Sequence, residues 1–143
     1  MNVKAFVDSN ILIYAYDMTA NGKHTKALDL LQMLWKTRLG VLSVQVLQEV
    51  FVNVTRKIPK PLPVATARNL VKDYRLWVVA PTGTETVLHA IDVQTRFGFS
   101  FWDSLIVSSA LETKCEQLYS EDLQHGQIIE GRLLVVNPFI TAL

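Results

Sequence analysis

Apolar residues fall along this chain in two patterns, short unbroken runs and longer stretches at helical spacing. The first run, Val3 to Val7, is rich in β-formers and stops at Asp8. It predicts a buried strand that delivers a carboxylate to the edge of a sheet. Asn10 to Tyr16 reads as a short helix, and Met18 to Gly22 as a polar loop with the turn pair Asn21-Gly22. From His24 to Arg38 the positions Ala27, Leu28, Leu30, Leu31, Leu34 and Trp35 recur at helical spacing, and Gly40 is expected to end that helix. Val41-Leu42 is a very short strand candidate. Ser43 suits a helix N-cap. The β-branched stretch Val44 to Lys57 is long enough to favour helix over strand. Pro59, Pro61 and Pro63 punctuate its end, and Pro63 can open a further helix to about Arg75.

Leu76 to Ala80 reads as a strand stopped by Pro81. Thr84 to Phe97 is a predicted helix, capped by Thr84 and closed by Gly98, and Ser100 to Lys114 is the next. Gln117 to Ser120 is a short strand ending on acids. His125-Gly126 lies in a loop, and Leu133 to Val136 is a final strand before Asn137-Pro138. Strands alternate with one or two helices, which predicts an α/β fold with a parallel sheet covered on both faces. No repeat or linker interrupts the pattern, so residues 1–143 are expected to form a single domain. The proline segment is too short to separate two domains and reads as a stiff connection between helices.

Composition narrows the class. Half of the 143 residues are apolar and 19% are charged, as in a globular domain that can bury a core. The formal net charge of +1 gives no direct hint of a nucleic-acid partner. Cys115 is the one cysteine. It falls in a helical pattern and is expected in the core or at its boundary. With no intramolecular disulfide possible, the chain suits a reducing compartment. No signal-peptide pattern and no apolar run of membrane-spanning length is present, so cytoplasm is the expected setting.

Four of the 13 acids are unusual in placement. Asp8 and Asp122 each follow a strand, which puts both at the carboxyl end of a parallel sheet, where ligands of open α/β folds bind. Glu49 lies in an apolar helical run beside Leu47, Val50 and Phe51. Asp103 opens a helix within Phe101-Trp102-Asp103-Ser104. Each also has a local explanation: Asp8 as a helix cap, Asp103 as the partner of Ser100 in a capping box, Asp122 as a turn residue, Glu49 as a paired acid at the core edge. Together they point to a shared cation, because several buried carboxylates are costly unless neutralised. Oxygen-only ligands suit Mg²⁺ or Mn²⁺, and such ions serve phosphodiester chemistry. His24, His89 and His125 are scattered and form no zinc motif, and His125 reads as a loop residue. No Walker loop, dinucleotide fingerprint or Ser-His-Asp set appears. Asn53 and Arg56 lie about one and two turns past Glu49 and share its helix face, so they either set an amide and a guanidinium beside the site or belong to an ordinary solvated helix end, where the helix dipole favours cations.

These residues resemble a known family. Val7-Asp8-Ser9-Asn10-Ile11-Leu12, Leu42-Ser43-Val44-Gln45-Val46-Leu47-Gln48-Glu49, Phe101-Trp102-Asp103-Ser104-Leu105-Ile106 and Leu118-Tyr119-Ser120-Glu121-Asp122-Leu123, in that order and spacing, look like a PIN domain, most of all the VapC-type toxins of bacterial toxin-antitoxin pairs. The resemblance implies a three-layer α/β/α sandwich whose central parallel sheet of about five strands has the order 3-2-1-4-5. It implies an endoribonuclease dependent on Mg²⁺ or Mn²⁺, with Asp8, Glu49, Asp103 and Asp122 as its acids. Ser9 and Asn10 match the polar residues of the first motif and would orient ligands. Ser120 stands where the family often has threonine, and Glu121 adds an acid beside Asp122, so either Asp122 alone or both would face the metal. An RNA substrate, a homodimer and an inhibiting antitoxin are implied partners. The alternative is a PIN-fold module that binds RNA or protein without cutting.

Overall fold

The computed structural model describes residues 3–140. Strand β1 (Ala5–Val7) is fully buried and lies at the centre of a six-stranded sheet of order β3-β2-β1-β4-β6-β5. Its partners on either side, β2 (Gly40–Ser43) and β4 (Gln117–Tyr119), run parallel to it, with Phe6 opposite Val41 and Leu118. Strand β3 (Val78–Ala80) extends the sheet beyond β2, and β6 (Leu133–Val136) beyond β4, both parallel. A strand covered on both faces needs apolar residues at every position, which is why β1 reads as an unbroken apolar run. With Leu133–Val136 as the fifth strand, the order is the expected 3-2-1-4-5. The sixth strand, β5 (Ile128–Ile129), adds an antiparallel edge.

The helices are α1 (Ser9–Tyr16), α2 (Gly22–Thr37), α3 (Val44–Arg56), α4 (Val64–Asp73), α5 (Thr84–Phe97) and α6 (Phe101–Glu112). Helix α1 starts at once after β1, because Asp8 leaves the strand in extended backbone and its side chain accepts the Ser9 N–H. Ser43 does the same after β2, its hydroxyl accepting the Val46 N–H at 3.3 Å. Helix α6 is buried along nearly its whole length, Ser104 to Leu111, and Leu105, Ile106, Val107 and Leu111 belong to the core. Cys115 is buried and free, as expected, and burial pushes its thiol up. No helix among the described residues is long and apolar enough to cross a membrane.

Several boundaries differ from the pattern reading, each for a local reason. Helix α2 ends on Arg38, whose backbone is left-handed, and not through Gly40. Gly40 is needed elsewhere: a Cβ there would lie 2.5 Å from Trp77 Cζ3, so the ring packs where a side chain would be. Helix α5 is capped at Gly83 rather than Thr84, and it is Thr86 whose hydroxyl accepts the Gly83 N–H at 3.3 Å. Pro63 takes the N-cap position itself. The chain after α4 tightens into a 3-10 turn, Tyr74–Leu76, so β3 starts at Val78 and not Leu76. Met18–Ala20 is likewise a 3-10 turn rather than open loop.

Candidate active site

The carboxyl ends of β1 and β4 lie side by side, and the site is built on that edge. Asp8 leaves β1 with its N–H bonded to the Tyr119 carbonyl at 2.9 Å, so the last residue of β4 fixes its backbone. The Asp8 side chain is 4% exposed. One oxygen, Oδ1, accepts the Ser9 N–H at 2.7 Å, and Oδ2 accepts the Ser120 hydroxyl at 2.8 Å. Ser120 Oγ in turn accepts the Asp122 N–H at 3.1 Å. Asn10 completes the frame: its amide donates to Asp122 Oδ2 at 2.9 Å, and its carbonyl accepts the Glu121 N–H at 3.4 Å. Asp103 arrives from the first turn of α6, where Ser100 Oγ accepts its N–H at 3.1 Å.

Asp8, Asp103 and Asp122 each offer a carboxylate oxygen, and these atoms lie within 4.8 Å of one another. Glu49, half-buried on α3, stands outside that tight set but repels Asp8 electrostatically and is itself repelled by Asp103 and Asp122. Burial is the main cause that pushes the Asp8 carboxyl up to about 7, partly countered by the Ser120 and Ser9 hydrogen bonds and reinforced by the charges of Asp122 and Glu49. Burial also raises Glu49, with hydrogen bonds from Ser9 and Gln45 opposing and the Asp103 and Asp122 charges adding. Asp103 is raised by burial and by Asp122, with Ser100 opposing. Crowded carboxylates that resist ionisation are what a multivalent cation relieves.

Glu121 turns away: its carboxylate accepts the Tyr14 hydroxyl at 2.7 Å and pairs with the Lys23 ammonium. Asn53 donates its amide to the Glu49 carbonyl one turn back, at 2.8 Å, and Arg56 is exposed in the last turn of α3. His125 accepts the Asn137 N–H at 3.0 Å and so ties its loop to the segment after β6. The sequence reading did not assign Ser120, which joins Asp8 to Asp122. Its signal was position, directly after a buried strand and before two acids. Gln45 was also missed. It is buried and spans from α3 to α6, where Nε2 donates to the Trp102 carbonyl at 3.4 Å.

The donor set fits a hard divalent cation. Its ligands are oxygens alone, from three separate elements, and two oxygens on one ion at about 2.0–2.6 Å can lie no more than about 5 Å apart. The spacing within the set meets that limit.

Fold and site together define a parallel α/β protein with an acidic, partly buried cluster at the carboxyl edge of its sheet. The chain belongs to the PIN domain family, whose model matches residues 5–129. Three solved structures are similar in fold. VapC20 of Mycobacterium tuberculosis, described as a sarcin-ricin loop cleaving toxin, matches with a TM-score of 0.64 and 18% identity over 82% of this chain and 89% of its own. A toxin-antitoxin complex from Klebsiella pneumoniae matches with a TM-score of 0.66 and 17% identity over 94% and 97%. VapBC2 from Rickettsia felis, bound to a DNA fragment from their promoter, matches with a TM-score of 0.62 and 16% identity over 93% and 98%. No curated protein matches the chain.

Proposed function

We propose that this chain, acting as a single domain over residues 1–143, is a divalent-cation-dependent endoribonuclease and the toxin of a VapBC-type toxin-antitoxin pair. The observation that carries this reading is the convergence of Asp8, Asp103 and Asp122 on one point at the sheet edge. Those three, with Glu49 beside them, would hold Mg²⁺ or Mn²⁺. When bound, the ion offsets charge on a phosphodiester, makes a coordinated water more acidic and aligns the attacked phosphorus with its leaving oxygen.

The chain's own residues set the terms of that chemistry. Asp8 is fixed by two short hydrogen bonds and offers its charge from a dry site, where each ion-carboxylate contact counts for more than in water. Asn10 and Ser120 hold Asp122, the exposed member, at a fixed place. Ser9 lies between Asp8 and Glu49 and can orient either. Arg56 is free to meet an RNA phosphate, and Asn53 would join it by releasing its helix carbonyl. An antitoxin and a second copy of the chain are the proposed partners, and cytoplasm is the proposed setting.

The test is cleavage of an RNA panel by purified wild-type, Asp8→Asn and Asp103→Asn proteins, each with Mg²⁺, Mn²⁺ or EDTA. Cation-dependent cutting by the wild type alone is expected, with both variants folded. Wild-type rates in either variant would overturn the assignment. RNA binding without cleavage in the wild type would establish the non-cutting module instead.

A further inference from the structure

Among the described residues, Trp102 is the one exposed aromatic side chain, at 63%. Phe101 before it and Asp103 after it are half-buried. An indole left in water forfeits much of its burial energy. The packing of α6 does not call for one, because residues Ser104 to Leu111 already hold the helix to the sheet.

Its position is specific. Trp102 precedes Asp103, so its Cα is about 3.8 Å from that of an acid in the cluster. Its backbone is held from both sides, by the Ser100 cap on the Asp103 N–H and by Gln45 Nε2 on the Trp102 carbonyl. Phe101 meets the indole edge-on, with centroids 5.2 Å apart and planes at 77°. A flat apolar surface therefore stands exposed in the first turn of α6, one residue before Asp103 and braced by Phe101.

The charge around it indicates a use. Crowded carboxylates repel the phosphates of a nucleic acid, and the nearby Lys23 is already paired with Glu121. With a formal net charge of only +1, no broad excess of cations offsets that repulsion at the cluster. Stacking of a base on an aromatic ring needs no charge and tolerates any sequence. Bases inside an A-form helix are already stacked, so only an unpaired nucleotide can present its face.

We propose that Trp102 is a base-stacking platform that holds one unpaired nucleotide of the RNA substrate beside the acidic cluster. The proposal rests on the ribonuclease reading and deepens it by naming Trp102 as the residue that positions a nucleotide next to the scissile bond.

The test measures binding of a labelled 2′-O-methyl oligoribonucleotide of mixed sequence, which resists cleavage, and of a blunt duplex of equal length. Wild-type, Trp102→Phe and Trp102→Ala proteins are compared by fluorescence anisotropy in Mg²⁺. The single strand is expected to bind the wild type more tightly than the duplex does. Trp102→Ala should weaken single-strand binding about 5- to 100-fold, and Trp102→Phe should keep most of it. Duplex binding should not move. Quenching of intrinsic fluorescence by the single strand should vanish in both variants, because Trp35 and Trp77 pack against each other and Trp77 is buried. Equal single-strand binding by Trp102→Ala and wild type overturns the proposal. So does a wild type with no preference for the single strand. If Trp102→Ala instead binds normally but dissociates a dimer in light scattering, the ring is an interface between copies and the proposal falls. Wild-type cleavage, followed in parallel, reports on the ribonuclease reading by itself: a Trp102-dependent binder that cuts no RNA would remove that reading and leave the platform.

Discussion

Asp8→Asn should stabilise the cation-free protein while destroying its activity, and by an amount that depends on pH. The Asp8 carboxyl is raised from 3.8 to about 7, chiefly because it is buried. Below pH 3.8 it is protonated in both the folded and the unfolded chain, and the fold's preference for the neutral form is fully present. Between pH 3.8 and 7 the unfolded chain has released the proton that the folded chain still binds, so stability falls as pH rises. Above pH 7 the fold carries a desolvated charge, at a cost of about 4 kcal/mol relative to low pH. Asparagine has the same shape and no charge, and its carbonyl can still accept the Ser9 N–H.

The assay is urea and thermal unfolding of wild type and Asp8→Asn in EDTA from pH 5 to pH 8. Linkage gives an advantage of the variant that widens by about 2.5 kcal/mol across that range, or about 10 °C in Tm. Glu49 and Asp103 are also raised, and they titrate in both proteins, so the difference between the two reports Asp8 together with its repulsion of its neighbours. Added Mg²⁺ should stabilise the wild type and narrow the gap, because an ion that binds only the folded state contributes by mass action. A gap that stays flat from pH 5 to pH 8, or a variant less stable than wild type at pH 8 in EDTA, would refute the claim that burial dominates the Asp8 site.

Other perturbations test the frame around the acids. Ser120→Ala removes a donor to Asp8 and an acceptor for the Asp122 N–H, so it should cost about 1–3 kcal/mol in urea unfolding. It should also raise the Asp8 carboxyl further and move the acidic limb of the pH-rate profile upward, while Ser120→Thr restores both. Lys23→Met breaks a half-exposed ion pair and should change stability by less than about 1 kcal/mol. By removing a cation from the rim it should tighten Mn²⁺ binding about two- to threefold in calorimetry at low salt, an effect that screening abolishes at high salt. Gly40→Ala drives a methyl into the Trp77 ring, which Trp35 and Tyr74 hold at centroid distances of 5.5 and 4.9 Å. It should destabilise by about 1–3 kcal/mol in chemical denaturation, with m unchanged.

What could be read in advance was what local sequence encodes. The central strand β1 announces itself as an unbroken apolar run, and the caps Ser43 and Ser100 stand where side chains can reach the first turn of their helices. Strand β5 gave no such signal, because two residues become a strand only by pairing with β6. The role of Gly40 is hidden for a similar reason: the demand for glycine comes from Trp77, far along the chain. At the site, Asp8, Asp103 and Asp122 were visible as acids at the ends of strands and starts of helices. The orientation of Glu121 was not, since it is decided by Tyr14 and Lys23, 107 and 98 residues away. Such long-range polar contacts leave no period in the sequence.

Burial gives the acidic cluster a direction. Asp8 is sealed beneath it, Glu49 and Asp103 are half-covered, and Asp122 is exposed. Solvent therefore reaches the cluster from the side of Asp122, which is the side from which the proposed cation would arrive. Asp8 sits at the junction of β1 and β4 and cannot move without disturbing both strands. Asp122 is held by side-chain and loop hydrogen bonds alone, from Asn10 and Ser120. A site built in this way keeps its most costly charge where the sheet fixes it, and its exposed acid, Asp122, where solvent arrives. The same two residues that aim Asp122 also connect it to Asp8 and α1, so the exposed side of the site is referenced to the end of the central strand. That is a reason for the acids to lie at the carboxyl edge of adjacent parallel strands: neighbouring strand ends bring chain segments more than a hundred residues apart into hydrogen-bonding range, with the sheet itself setting the distance between them.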